Sequence, residues 1–179
     1  MSENIVLLSG APRKNGNTER LAAAFLEGVK EAGKEITVFR TADMKIGACL
    51  GCEHCMVEKG ICIQKDDMTE IYDALMKADA LVLVSPVYFY SISAQLKLAV
   101  DRFFALIPVG MPIKRTALLL TCGDETTEAA DGSVATYKSI CTFTKWEDAG
   151  VIIATGLYTP GEIEGRKELE AARALGREI

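Results

Sequence analysis

Five short, mostly apolar runs alternate along the chain with longer segments of helical periodicity, and this alternation restricts the fold more than any other feature of the sequence. Each run is short enough for one strand, and its apolar character at successive positions is typical of a strand that is buried on both faces. The runs are Ile5 to Leu8, Ile36 to Phe39, Ala80 to Val84, Ala117 to Leu120 and Val151 to Ala154. The sequence therefore predicts five buried strands.

The segments between the runs predict helices. In the first segment Asn17 begins the helical pattern with a capping side chain, and Leu21, Phe25 and Val29 recur at helical spacing until Gly33 can end the helix. The later segments predict helices over 67–78, 93–107, 133–148 and 162–176.

Strands that alternate with helices in this way form right-handed βαβ units around a parallel sheet. We therefore predict an α/β fold, a flavodoxin-like three-layer sandwich in which a five-stranded parallel sheet of order 2-1-3-4-5 carries helices on both faces. No linker or repeat divides the chain, so a single domain over residues 1–179 is expected. In such folds ligands bind beyond the carboxyl ends of the strands, which directs attention to the loops there.

The charge balance argues against several kinds of partner. The chain has 20 Lys and Arg residues against 25 Asp and Glu residues, a net charge of −5, and no basic cluster. A surface for nucleic acid or for anionic membranes is therefore not expected, and a small molecule or a protein is the expected partner. No apolar run reaches the about 18 residues of a spanning helix, and the N-terminus lacks a signal-peptide pattern, so we expect a cytoplasmic protein.

The loop after the first strand, SGAPRKNGNT, has the features of an anion site. It joins a strand to a helix, which brings backbone N–H groups and the positive end of the helix dipole to one point. It lacks the Gly-Lys-Ser/Thr of a Walker A loop and the third glycine of the dinucleotide fingerprint. Arg13 with Asn15, Asn17 and Thr18 suits a terminal monophosphate such as that of FMN, while the alternative is an ordinary capped turn.

The loop after the third strand carries an unusual group of aromatic residues. Pro86, Val87, Tyr88, Phe89 and Tyr90 stand where solvated polar residues are the rule. A flat apolar ligand such as an isoalloxazine ring would explain them, because it needs an apolar slot with aromatic contacts. The alternative is a subunit interface that covers exposed aromatic side chains.

These loops together closely resemble one family. GAPRKNGNT, DDM and SPVYFYSISAQLKLAVDR are similar to the NADPH-dependent FMN reductase and iron–sulfur flavoprotein family of the flavodoxin-like superfamily. The resemblance implies bound FMN, with NAD(P)H as co-substrate. It implies that the phosphate lies near Arg13, Asn15, Asn17 and Thr18, the ring against Pro86, Val87, Tyr88, Phe89, Tyr90 and Ser91, and the far side of the ring near Thr121, Cys122, Gly123 and Asp124.

The first loop departs from the family at one position. The family usually reads Gly-Ser-Pro-Arg there, and this chain has Ala11 in place of the serine. The loss of one neutral hydrogen bond to the phosphate costs about 1 kcal/mol, which is about a fivefold weakening of FMN binding. Lys97 and Asp101 also match the family, but their i,i+4 spacing predicts a routine surface pair.

Four of the six cysteines lie close together in ACLGCEHCMVEKGIC. Cys49, Cys52 and Cys55 recur every three residues and Cys62 follows, so three thiols can converge from one loop while the fourth returns across it. A [4Fe-4S] cluster, a zinc ion, and free thiols or a local disulfide all remain open, although zinc normally uses two close pairs. The resemblance to iron–sulfur flavoproteins implies that these four residues are the cluster ligands.

Two functions follow as expectations. The first is an FMN-dependent NAD(P)H oxidoreductase that reduces a quinone, a nitro or azo compound, free flavin or a metal, with no catalytic side chain required because the flavin carries the chemistry. The second is an iron–sulfur flavoprotein that carries electrons between partner proteins. A third alternative is a degenerate member of the fold that acts as an interaction module. A homodimer or homotetramer is expected, since a second subunit would cover the aromatic loop.

Overall fold

The computed structural model describes residues 3–179, in which five parallel strands form the central sheet. These strands are β1 (Asn4–Ser9), β2 (Glu35–Arg40), β3 (Ala80–Tyr88), β5 (Arg115–Thr121) and β6 (Glu147–Ala154), and they lie in the order β2-β1-β3-β5-β6. A two-residue strand, β4 (Ser91–Ile92), pairs antiparallel with the end of β3. The predicted flavodoxin-like order of five parallel strands is therefore confirmed, and β4 is an addition that the sequence analysis missed.

Six α-helices connect the strands. They are α1 (Asn17–Glu31), α2 (His54–Val57), α3 (Met68–Leu75), α4 (Ala94–Arg102), α5 (Asp131–Thr144) and α6 (Lys167–Glu178). Short 3₁₀ turns occupy Thr41–Asp43, Phe103–Leu106 and Thr127–Ala130. None of the helices within residues 3–179 combines the length and the apolar character that a crossing of the bilayer would require.

The central strands β1, β3 and β5 are buried on both faces, as their apolar runs predict. The prediction of buried strands is wrong for the edge strand β2, which has no buried residue, and for most of β6, in which only Ala154 is buried, because an edge strand has a neighbouring strand on one side only. Alternate strand residues point to opposite faces. Leu7 of β1 and Val82 of β3 pack under α1 and α6, whereas Leu8 and Leu83 pack under α3, α4 and α5. Two apolar cores on either side of one sheet are the physical basis of the three-layer arrangement.

The predicted helix boundaries differ from the observed ones at α6, which begins at Lys167 and not at residue 162, at α4, which ends at Arg102 and not at residue 107, and around Trp146. The helical pattern of α5 was expected to continue to residue 148, but α5 ends at Thr144 because Lys145 adopts a left-handed conformation with φ of 62°. The chain then turns, Trp146 is buried in the core, and β6 begins at Glu147. The apolar side chain of Trp146 continues the helical pattern in the sequence, although it reaches the core from a turn.

A buried ion pair fixes the long segment between β2 and α3. The guanidinium of Arg102, at the end of α4, has 1% of its surface exposed and forms two hydrogen bonds with the Asp66 carboxylate, at 2.8 and 3.2 Å. Arg102 Nη1 also donates to the Gly47 carbonyl oxygen at 2.9 Å, and the Gly47 N–H donates to Asp66 at 2.9 Å. The paired charges thus hold both ends of the segment that carries the clustered cysteines.

Tyr72 completes this network from α3. Arg102 Nε donates to the Tyr72 hydroxyl oxygen at 3.2 Å, and the hydroxyl donates to the Arg102 carbonyl oxygen at 3.1 Å. Burial raises the pKa of Tyr72 to about 12, so the hydroxyl remains a donor at neutral pH. Burial alone would raise the pKa of Asp66, but the hydrogen bonds from Arg102 and Gly47 and the charge of the guanidinium lower it below its usual value.

We predict that Arg102→Met lowers the free energy of unfolding by about 3–5 kcal/mol, because it leaves the largely buried Asp66 carboxylate without its cation. Urea unfolding followed by circular dichroism measures the loss. Arg177→Met is the matched control, since Arg177 makes its ion pairs on the exposed surface between α1 and α6. Equal losses in the two variants would contradict the account.

Candidate functional site: a cavity at the carboxyl edge of the sheet

The loop between β1 and α1 is packed directly on the start of α4. The Gly10 N–H donates to the Val84 carbonyl oxygen at 2.9 Å, and the Gly10 carbonyl oxygen accepts from the Ser93 hydroxyl at 2.8 Å. A Cβ atom at Gly10 would lie 2.3 Å from Ser93 Oγ and 2.6 Å from Leu96 Cβ, so a larger residue would disrupt this contact. The loop is therefore fixed against β3 and α4.

The start of α1 is open to an anion. Its N-cap is Gly16, which has no side chain to satisfy the N–H groups of the first turn. These groups and the positive end of the helix dipole favour a negative charge. The exposed Arg13 adds a cation close by, and the buried Thr18 hydroxyl lies 2.6 Å from that of Thr121. The start of α1 therefore carries groups that can bind an anion, and their role in binding a phosphate stays a prediction.

A cavity opens at this point, beyond the carboxyl ends of the strands. The volume that is accessible to water-sized molecules is about 70 Å³, and the cavity is partly open to solvent. Predicted residues line it from three loops: Arg13, Asn17, Thr18, Pro86, Val87, Tyr88, Thr121, Cys122 and Gly123. The register of the sheet explains their meeting, because Pro86 of β3 pairs with Thr121 of β5 and Val84 pairs with Ser9 of β1.

Other predicted residues lie outside the lining: Asn15, Phe89, Tyr90, Ser91 and Asp124. Asn15 is an exposed turn residue with φ of 58°. The Asp124 carboxylate accepts hydrogen bonds from the N–H and the hydroxyl of Thr126, at 2.9 and 3.0 Å, and these bonds lower its pKa. Their role in binding remains a prediction.

The aromatic loop forms a tight hairpin at the mouth of the cavity. Tyr88 and Ser91 pair across it, and Phe89 and Tyr90 occupy the two turn positions with φ of 48° and 67°. Such left-handed conformations favour glycine or asparagine, so two bulky residues there are strained. Phe89 is 97% exposed and Tyr90 is 63% exposed, with their rings in an edge-to-face contact at 5.9 Å. The hairpin thus exposes two aromatic side chains to solvent beside the cavity.

The sequence analysis missed the wall of the cavity that follows β6. Leu157 and Pro160 line the cavity, and the Leu157 N–H donates to the Cys122 carbonyl oxygen at 2.9 Å. The Tyr158 ring lies against Gly123, where a Cβ atom would be 2.9 Å from its Cζ. The signal was available, because the rule that ligands bind at carboxyl ends applies to the fifth parallel strand as well.

The lining fits FMN by the chemistry of its groups. An uncapped helix start with a cation suits a phosphate, and Pro86, Val87 and Tyr88 supply the apolar and aromatic surface that a flat ring needs.

Cys122, in the same lining, has its thiol pKa raised by burial and by the Asp124 carboxylate, so the thiol is neutral at physiological pH.

The four clustered cysteines line a second cavity. Cys49, Cys52, Cys55 and Cys62 surround it together with Arg102 and Phe104. All four thiols are free, and burial, followed by the negative charge of the other three, raises the pKa of Cys55. The donor set fits a four-thiolate centre. Within residues 3–179, no three His, Cys, Asp or Glu side chains stand close enough to hold a metal ion as they are oriented.

Four other residues that could carry chemistry do not line the second cavity. His54 begins α2 and is half-buried. Cys141 is buried in the core on α5, as its helical spacing predicts. Lys97 and Asp101 form an exposed ion pair along α4, in agreement with the expected surface role.

The sequence comparisons match this chain to redox flavoproteins. The family described as NADPH-dependent FMN reductase matches residues 4–139. An iron-sulfur flavoprotein of Archaeoglobus fulgidus is 33% identical over 182 residues, which cover 95% of this chain and 76% of the relative. An iron-sulfur flavoprotein of Methanocaldococcus jannaschii is 41% identical over 98 residues, 55% of this chain and 50% of the relative. The match thus spans about half the length of this second relative.

Solved structures share the fold over the whole chain. An NAD(P)H:quinone oxidoreductase from Methanothermobacter marburgensis has a TM-score of 0.79 at 22% identity, with 99% of this chain and 96% of that chain covered. An FMN-dependent NADH-azoreductase from Bacillus anthracis, in complex with FMN, has a TM-score of 0.71 at 17% identity, with 98% and 96% covered. At these identities the likeness concerns the fold.

The family match also confirms, at the level of the family, the expected oxidoreductase class and the expected cofactors, FMN with NAD(P)H as co-substrate. Which residues bind them is still a prediction. Two features of the structure agree with the family match and with the iron-sulfur flavoprotein relatives. They are the cavity at the uncapped start of α1 and the segment of four cysteines. This chain belongs to the NADPH-dependent FMN reductase family, within its group of iron–sulfur flavoproteins.

Proposed function

We propose that this protein is an FMN-dependent NAD(P)H oxidoreductase that passes electrons to a small acceptor such as a quinone, a nitro or azo compound, free flavin or a metal ion. The observation that carries the proposal is the cavity at the carboxyl edge, where a phosphate site and an apolar, aromatic wall face the same space. The quinone oxidoreductase and azoreductase folds named above support the choice of acceptor classes.

The chain's own residues would bind and orient the cofactor. Arg13, Thr18 and the first-turn N–H groups of α1 would hold the phosphate, while Pro86, Val87 and Tyr88 would contact the ring. FMN, when bound, supplies a ring that accepts hydride from a reduced nicotinamide and releases electrons to an acceptor. The exposed Phe89 and Tyr90 lie beside the open side of the cavity and do not line it.

We predict that the flavin-loaded protein oxidises NADH or NADPH in the presence of a quinone, and that the flavin-free protein does not. The reason is that FMN is the only redox-active group in the proposed NAD(P)H oxidoreductase. Absorbance at 340 nm, the nicotinamide band, follows the reaction. Oxidation of NADH or NADPH by the flavin-free protein, without added FMN, would contradict the proposal.

A substitution at Ala11 offers a test in which FMN binding is expected to become tighter. Because this residue is buried in the lining of the cavity, Ala11→Ser would return a hydroxyl to the phosphate loop. We expect the Kd for FMN to fall about fivefold and the Kd for riboflavin, which lacks the phosphate, to stay unchanged. Flavin fluorescence measures both constants. An equal change in the two Kd values would show that the side chain of residue 11 does not contact the phosphate.

A second function is favoured by the four cysteines that line one cavity. In this alternative the protein is an electron carrier in which Cys49, Cys52, Cys55 and Cys62 would hold a [4Fe-4S] cluster. The names of the relatives support it. Such a carrier would exchange electrons with partner proteins and would oxidise little NAD(P)H without its protein donor.

Iron analysis on protein purified without oxygen separates the two functions. For the carrier we expect about four iron and four sulfide per chain. Cys52→Ala should lose most of this iron, whereas Cys141→Ala, a matched change of a core cysteine outside the cavity, should keep it. Iron-free protein would contradict the carrier and leave the NAD(P)H oxidoreductase.

We also propose that the protein is a homodimer or homotetramer in the cytoplasm. The exposed aromatic hairpin supports the first point, because a second subunit would bury Phe89 and Tyr90. Six free cysteines suit a reducing compartment and support the second point. Sedimentation velocity tests the assembly, and a monomer at working concentration would contradict it.

A further inference from the structure

Asn17 is bonded to a distant loop by both ends of its side-chain amide. It is the first residue of α1, and only 8% of it is exposed. Its Nδ2 donates to the Thr159 carbonyl oxygen at 2.8 Å. Its Oδ1 accepts from the N–H groups of Gly161 at 2.9 Å and Ile163 at 3.4 Å. The carbonyl oxygen is fully used within the protein, and one hydrogen of the amide remains.

The loop that Asn17 holds is the one that follows β6, residues 155–166, here called the β6–α6 loop. It supplies Leu157 and Pro160 to the lining of the flavin cavity. It also lays the Tyr158 ring against Gly123, on the side of the cavity formed by the end of β5. Because a loop needs partners for its backbone polar groups, the amide of Asn17 is one of the contacts that fix the position of this wall.

Glu162 holds the same loop from its other side. Its carboxylate accepts hydrogen bonds from the N–H groups of Tyr158 at 2.6 Å and Thr159 at 2.8 Å, and these bonds lower its pKa. Glu162 is exposed and does not line the cavity. Among the side chains that bond to the loop, Asn17 therefore belongs to the phosphate loop region and Glu162 does not.

We propose that Asn17 is a positioning residue whose side chain builds the wall of the flavin cavity through the β6–α6 loop, and that the contribution of this side chain to flavin binding comes through the wall and not through a bond to the phosphate. This deepens the proposed FMN-dependent function and rests on it. The proposal differs from the role that the SGAPRKNGNT loop suggests, since the side-chain amide donates to Thr159 and accepts from Gly161 and Ile163. The Asn17 amide thus joins the phosphate loop to the wall.

A comparison of FMN with riboflavin separates the two roles of Asn17. If Asn17 acts through the wall, Asn17→Ala weakens binding of both flavins by a similar factor, about tenfold for the loss of its hydrogen bonds. The ratio of the two Kd values, measured by fluorescence quenching, then stays within about twofold of the wild-type ratio. A loss of FMN affinity with unchanged riboflavin affinity would overturn the inference, because it would show contact with the phosphate.

Glu162→Ala is the matched variant, because it loosens the same loop without touching the phosphate loop. We expect it to reproduce the pattern of Asn17→Ala, with both flavins weakened and their ratio kept. Thermal unfolding of the two variants and of the wild type shows whether the chain is folded. A Glu162→Ala variant that binds both flavins like the wild type would overturn the claim that the position of the wall controls binding.

Hydrogen exchange on the flavin-free protein distinguishes a failure of this inference from a failure of the proposed function. In Asn17→Ala we expect the amides of Gly161 and Ile163 to exchange at least about tenfold faster, while Leu118 in the core of β5 keeps its protection. Unchanged exchange at both amides would overturn the inference. Wild-type protein that binds neither flavin would end the proposed function, and the exchange rates would still decide whether Asn17 holds the loop.

Discussion

The common direction of the five main strands is the constraint on which the rest of the structure depends. Because these five strands are parallel, each carboxyl end opens toward the same edge, and the chain must leave that edge through a loop. The loops after β1, β3, β5 and β6 meet there around one cavity. The site is therefore a consequence of strand order, and its chemistry is set by what these loops carry.

Polar contacts then fix the loops, in addition to apolar side chains such as Leu157 and Ile163, which anchor the β6–α6 loop in the core. Gly10 is bonded to Val84 and Ser93, and Asn17 is bonded to the β6–α6 loop. On the other side of the sheet, the Arg102 and Asp66 pair holds the segment of the clustered cysteines. A cation thus lies beside a cavity lined by four thiols, where it would favour the anionic charge of a thiolate centre.

The fold was predictable from the sequence because its signals are local. Apolar runs and helical spacing identify the strands and helices, and the order of the sheet follows from general rules of chain connection. The errors have local causes too. Trp146 continues the pattern of α5 but sits in a turn, and β4 is too short to give a pattern of its own.

The candidate site was predictable only in part, because its remaining features depend on contacts between distant residues. Arg13, Thr18 and Tyr88 are recognisable by type and place in the motif. The bonds of Asn17 to residues 159–163 join positions more than 140 apart in the chain, and Asp66 meets Arg102 across 36 positions. Neither pairing has a sequence signal, so the bonds of Asn17 to the β6–α6 loop could not be predicted from the motif.

The central claim is that the cavity at the carboxyl edge binds FMN, and a titration of the flavin-free protein with FMN tests it most directly. The account predicts saturable quenching of flavin fluorescence at one FMN per chain, with a Kd of about 1 μM or below. Fluorescence that does not change with protein concentrations up to about 100 μM would contradict the account.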